Sequence, residues 1–240
     1  MIAQAFDDLA QSLRILAEQK FRFYSLVNID RAEAIGNYET AFTSVLNCFH
    51  NLYDAQQKVS GKKINWYDTP ELAIILAIRN ARHHNNANRI RSLFNYHVRT
   101  QVSPENEEEY LVIDFKSTDP DLSASTFDFY ISWGDIDNLL SMPKEVSRLK
   151  PETKKLVYQY LVAEKFKDYS NECELDEQKL FINIIPLLVN AGIKIHKHIE
   201  GHIDDSLSSE SKIFNNHFKL TAPIDTHEHI KNIIVFHLPN

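Results

Sequence analysis

With 240 residues, 43% apolar and 25% charged, the chain has the balance of an ordinary globular protein and the length to bury one large core, or a core with an appendage. Five glycines are few for a β-rich or dinucleotide-binding chain, and with no Walker loop and no G-x-G-x-x-G the sequence argues against a phosphate-cradling glycine loop. The formal net charge of −7 argues against a nucleic-acid partner as a bulk number, no stretch approaches the roughly 18 apolar residues of a membrane span, and Cys48 and Cys173 have no C-x-x-C partner, so a reduced, cytoplasmic protein is expected.

Ile2, Phe6, Leu9, Leu13 and Leu16 alternate at spacings of four and three, one apolar face of a first helix. Met1 to Lys20 carries Asp7, Asp8 and Glu18 and lacks a basic start with an uninterrupted apolar run, so it does not read as a signal peptide. A second helix is expected from Asp30, with Glu33 as capping-box partner. It runs through Ile35, Tyr38, Phe42, Val45, Phe49 and Leu52, an alternation long enough for a bundle seam, and Ser60-Gly61-Lys62-Lys63 ends it. Asp68-Thr69-Pro70-Glu71 starts a third helix: Thr69 or Asp68 can cap, Pro70 suits the first turn, and Glu71 complements the dipole. That helix buries Leu72, Ile75 and Leu76, and Arg79 falls on the same stripe, where a charge needs a partner or a ligand. Asn85-Asn86 weakens it, and a fourth helix is expected over 88–102 through Ile90, Leu93, Phe94 and Val98.

The middle of the chain changes period. Residues 110–115 are apolar, and Phe127, Phe129, Ile131 and Trp133 alternate with Asp128, Tyr130 and Ser132, the period of a half-buried strand. Ser117-Thr118-Asp119-Pro120 between them is turn chemistry, so a β-hairpin inserted at about 110–133 is expected. Helices resume over about 135–140 and after Pro151, and another spans 176–198 with Pro186 as a kink. Residues 201–219 are polar and read as a loop, and 231–237 as a last strand. This divides the chain into a helical domain, 1–200, that carries the hairpin, and a C-terminal polar segment, 201–240.

Chemistry-bearing residues concentrate in one window. From Leu72 to Pro104 there is no Asp or Glu, whereas Arg79, Arg82, Arg89, Arg91, Arg99, His83, His84 and His97 all fall there. An acidic protein with one basic face can steer a phosphate backbone to it; alternatively, these arginines pair with carboxylates from elsewhere in the fold. Within the window stands Arg79-Asn80-Ala81-Arg82-His83-His84. Arginine offers phosphate a planar fork of donors, and histidine moves protons near neutral pH.

This hexapeptide resembles the Arg-x4–6-His motif of the HEPN superfamily of helical ribonucleases: Arg79, the small polar Asn80 after it, and His84 match at the end of a third helix. In order of elements the resemblance covers about 1–102; in identifiable residues it covers the motif. It implies a mainly α, HEPN-like bundle with the hairpin inserted, and a metal-independent endoribonuclease without cofactor. The products would be 2′,3′-cyclic phosphate and 5′-hydroxyl ends. His84 would move the proton, Arg79 would stabilise charge on the phosphate and Asn80 would orient it, while Arg82, Arg89, Arg91 and Arg99 would bind RNA. A homodimer would complete a composite site. The role implied is a toxin or antiviral defence effector, with a neutralising antitoxin or regulatory protein as a further candidate partner. Helix geometry favours the neighbouring histidine: His83 is one turn from Arg79, whereas His84 lies about 140° round the axis. The competing reading is a non-catalytic interaction module in which Arg79 and the histidines cap the bundle. A third reading, a metal site, rests on His198 and His202 at i, i+4 among His196, His217, His227, His229 and His237; no H-E-x-x-H supports it, and Lys194, Lys197 and Glu200 are interspersed as on a solvated face. Cys48 has His50 two residues away but no basic neighbourhood.

Overall fold

Two long helices, α1 (Ile2–Leu26) and α2 (Arg31–Gln57), open the computed structural model, which describes residues 1–58, 64–84, 90–100, 103, 105–116, 127–203 and 208–239. Asp30 caps α2 as the sequence predicts, its side chain accepting the Glu33 N–H at 2.9 Å. Phe6, Leu9, Leu16 and Phe23 of α1 join Tyr38, Phe42, Val45 and Phe49 of α2 in one buried core. Helix α3 (Pro70–His84) begins after Thr69, whose carbonyl accepts from Leu72 and Ala73. The Thr69 hydroxyl turns back to the Asn65 carbonyl instead of capping. Every residue from Leu72 to Ile78 is buried, wider than the single stripe expected. A helix apolar all round belongs in the middle of a protein, and α3 packs against α2 and, from later in the chain, α7 (Pro151–Tyr160) and α9 (Ile185–Ile199).

Among the described residues the fourth helix, α4, covers Leu93–Thr100, and residues 90–92 of the expected span are not helical. The turn expected at 117–120 and the helix terminator at 60–63 lie outside the described residues. Strands β1 (Glu108–Lys116) and β2 (Tyr130–Ser132) form where the apolar run and the alternation fall, but they are not a hairpin. The sheet order is β2-β3-β1-β4, with β3 (Leu180–Asn183) between them and β4 (Asp225–Phe236) at the edge. β1 runs parallel to β3, Leu111 opposite Leu180, and antiparallel to β4, Tyr110 opposite Ile234. β2 pairs antiparallel with β3, Ile131 opposite Ile182. The expected hairpin and the expected helix over 176–198 fail for one reason. Leu180-Phe181-Ile182-Asn183 is buried on both faces, and so short an apolar run carries no period that separates strand from helix. Pro186 therefore does not kink a helix; it stands in the first turn of α9, where its missing N–H costs nothing.

Three further helices, α5 (Trp133–Ser141), α6 (Lys144–Ser147) and α8 (Glu164–Glu172), surround α7 in sequence. The segment expected as a loop at 201–219 instead holds α10 (Ser209–Leu220). Ser208 caps it, and the Asp7 carboxylate of α1 accepts from the hydroxyls of Ser208 and Ser211. α10 packs on α1 and α9, so residues 201–240 contribute a helix and a sheet edge to the same body. The α9–α10 contact depends on Gly192, where a Cβ would run into the Phe218 ring. The chain is mainly helical with a small mixed sheet, and among the described residues no helix is long and apolar enough to cross a membrane.

Candidate active site

The surface of α2 turned away from its apolar seam carries Glu39, Thr43, Asn47, His50 and Asp54, spaced by four, four, three and four. That spacing puts all five on one helical face. Helix α3 meets this stripe with the polar residues that follow its buried middle: Arg79, Asn80, Arg82 and His83. The two helices thus build a polar seam with two ends.

At one end Arg82 is fully engaged. Its guanidinium donates to Glu39 Oε2 at 2.6 Å, to the Thr43 hydroxyl at 3.3 Å and to the Ile90 carbonyl at 2.8 Å, and it stacks over the Phe42 ring at 5.1 Å. Glu39 is also hydrogen-bonded by the Ser92 hydroxyl. Arg91 donates its backbone N–H and its guanidinium to Asp135 at 2.5–2.9 Å. Arg82, Arg91 and the exposed Arg99 line one cleft of about 320 Å3 with Glu39, Thr43 and Asn95. Three of the four arginines expected to bind RNA are therefore brought together, but Glu39 and Asp135 neutralise two of them. Arg89 lies outside the described residues.

At the other end Arg79 is half-buried. Nε donates to Asn47 Oδ1 at 3.3 Å and a terminal nitrogen to Asn80 Oδ1 at 3.2 Å. Both partners are neutral amides, and among the described residues Arg79 forms no ion pair. Burial lowers the Arg79 pKa, while Asp54 and Tyr67 act against that shift from further away. His50 stands one turn beyond Asn47, with Nδ1 3.4 Å from Asp54 Oδ2. Burial pulls the His50 pKa below the usual histidine value; the Arg79 charge and the His83 ring pull the same way, and Asp54 opposes them. His50 is therefore neutral at pH 7. Its ring lies against Tyr53, which contacts Trp66 and Tyr67 edge-on, so an aromatic rim borders the cluster.

Of the residues singled out in the sequence, Arg79 and Asn80 touch one another, and His83 is exposed in the same electrostatic neighbourhood as His50. Helix α3 stays helical through His84, whose side chain lies outside the described residues. Asn47, His50 and Asp54 were not anticipated. A polar stripe opposite an apolar seam reads as a solvated face, and only the approach of α3 gives it meaning.

Three further histidines are engaged within the fold. His97 is buried against the Tyr110 hydroxyl at 2.8 Å and His196 against Asn215 Oδ1 at 2.6 Å, while half-buried His229 meets the Tyr169 hydroxyl and the Thr226 carbonyl. Among the described residues no group of three or more His, Cys, Asp or Glu could hold a metal ion; Asp204 and Asp205 lie outside them. Cys48 and Cys173 are free, and burial raises the Cys48 thiol pKa, which disfavours a nucleophilic thiolate. Comparison of the chain with family models, with curated proteins and with solved structures finds no match.

Proposed function

We propose that the chain is a metal-independent endoribonuclease of HEPN type whose reacting groups are Arg79, His50 and His83, with Asn80 positioning Arg79. The observation that carries this reading is Arg79: a half-buried cation hydrogen-bonded by two amide oxygens and by no carboxylate among the described residues. A buried charge is costly unless something of opposite sign completes it, and a phosphodiester supplies that sign with geometry suited to a guanidinium.

In this reading the RNA 2′-oxygen bonds to phosphorus, the P–O5′ bond breaks, and a 2′,3′-cyclic phosphate and a 5′-hydroxyl leave. His50, kept neutral by burial and by Arg79, takes the 2′-hydroxyl proton. Asp54 beside Nδ1 favours the proton there and leaves Nε2 as acceptor. Exposed His83, one turn from Arg79, gives a proton to the 5′-oxygen. Arg79 stabilises the charge growing on the non-bridging oxygens, and Asn80 holds the Arg79 fork. Tyr53 and Tyr67 offer faces on which unpaired bases stack. Acid and base both come from one chain, so a partner copy is not required for the chemistry. His84, which the motif spacing favours, stands about 140° from Arg79 on a continuous helix, and His83 takes its place. RNA is then the partner, and the role of a toxin or defence effector acting in the cytoplasm follows from the same resemblance.

A second reading, a non-catalytic module that binds RNA or protein, is favoured by the neutralised arginines Arg82 and Arg91. Incubating purified protein with mixed RNAs in excess chelator separates the two. The expected result is cut RNA with 5′-hydroxyl and cyclic phosphate ends. Products with 5′-phosphate ends, or cleavage abolished by chelator, overturn the mechanism; RNA bound and left intact supports the module.

A further inference from the structure

A second concavity shares no lining residue with the α2–α3 seam. It is a cavity of about 420 Å3 between α1, α9, α10 and the sheet, within the range of about 300–1,000 Å3 typical of small-molecule sites. Its walls are apolar: Leu16 and Ala17 from α1, Val189 from α9, Phe214 from α10, and Phe115 and Ile230 from the sheet. Its polar lining is Asp114, Asp128, Tyr130, His217 and Asn232, of which the two aspartates are the carboxylates.

Asp114 is held in place from behind. Oδ1 accepts from Asn183 Nδ2 at 2.7 Å and Oδ2 from the Tyr130 hydroxyl at 2.9 Å. Asn183 is itself buried and fixed, its Oδ1 accepting the N–H groups of Phe129 and Ile185. Each carboxylate oxygen has two lone-pair sites, so one on each Asp114 oxygen is left for a ligand. Asp128 is paired with the Lys20 ammonium. One cation for two carboxylates leaves this end of the cavity with a net charge of −1. His217, the remaining titratable group on the lining apart from Tyr130, has its pKa lowered by burial and is neutral at pH 7. Among the described lining residues and their ion-pair partners, Lys20 is the one cation set against the carboxylates, so an anionic ligand would be repelled.

We propose that this cavity binds amphiphilic amines, with an aliphatic or aromatic body against the Leu16, Val189 and Phe214 walls and a protonated amine head on Asp114. A hydrogen bond between charged partners is worth about 1.5–3 kcal/mol, which is roughly tenfold or more in affinity.

Octylamine, octanol and octanoate share one apolar tail and differ in the head. Titration calorimetry of each into the full chain at pH 7.5, below the concentration at which they form micelles, is expected to rank octylamine about tenfold or more tighter than octanol, with octanoate weakest. Ala17→Phe, which fills the cavity from α1, should abolish all binding while leaving RNA cleavage unchanged; Asp114→Asn should reduce octylamine to the affinity of octanol. The assignment is overturned if octanol or octanoate binds as tightly as octylamine, if none binds at millimolar concentration, or if Ala17→Phe binds as wild type does. The ligand ranking needs no variant to fold, and none of the three overturning outcomes depends on the ribonuclease reading.

Discussion

Arg79 and Arg82 stand three residues apart on one helix and face the same polar stripe of α2, yet they are held in opposite ways. Arg82 has a carboxylate, a hydroxyl, a carbonyl and an aromatic face, and the Arg82 and Glu39 side chains keep only 15% and 12% of their exposure. Arg79 has two amide oxygens. A guanidinium with its counter-charge built in is part of the fold. A guanidinium that is oriented but not neutralised is poised for an anion from outside. An acid-free window in the sequence cannot distinguish the two, because the neutralising carboxylates, Glu39 and Asp135, come from other elements.

The largest effect expected from this contrast is on stability at the Arg82 end. Glu39→Ala removes one partner of a nearly buried pair and leaves Arg82 and Ser92 uncompensated, which should cost about 3 kcal/mol in urea unfolding. A loss under about 1 kcal/mol would mean that Arg82 is not a structural arginine. Next comes chemistry at the Arg79 end. His50→Gln should lower cleavage by about 10²-fold, the size of one acid–base group, with an unfolding midpoint close to wild type. His83→Ala should lower cleavage more than His84→Ala does; the reverse order would restore the histidine that the motif spacing favours. Asp54→Asn, which acts through His50, should reduce kcat by roughly tenfold and leave KM unchanged, as expected for a positioning residue. A change in KM alone would place Asp54 in RNA binding instead.

The smallest effect is the pH dependence of stability. His50, His217 and His229 all have folded pKa values lowered by burial. Below about 6.5, where an unfolded histidine takes up its proton, the unfolded chain binds protons that the folded chain does not yet bind. Stability should therefore be fully present above that pH and fall as the solution is acidified toward the folded pKa values. Urea midpoints between pH 8 and 5 check the sign; a midpoint that rises on acidification contradicts it.

How far the sequence reveals this architecture depends on the range of each contact. α1, α2 and α3 are legible because each carries a long 3–4 alternation or a cap within a few residues, as at Asp30. The sheet is not, because β3 is four residues long and pairs with β1 across the helices α5 to α8. α10 is hidden by its pattern: Ser211 and Phe218 are its buried residues, while the apolar Ile213 and Leu220 point to solvent, so no apolar stripe marks the helix. The candidate site divides the same way. Arg79, Asn80 and His83 lie within one short motif, whereas Asn47, His50 and Asp54 acquire a role only when α2 and α3 pack.

The two arginines are told apart by comparing Arg79→Ala with Arg82→Ala, measuring for each both the urea midpoint and single-turnover RNA cleavage per folded molecule in chelator. Arg79→Ala is expected to keep its midpoint and lose about 10²-fold in cleavage, while Arg82→Ala loses stability and cleaves at nearly the wild-type rate once folded. Cleavage unchanged in Arg79→Ala, or lost equally in both variants, would contradict this division of roles.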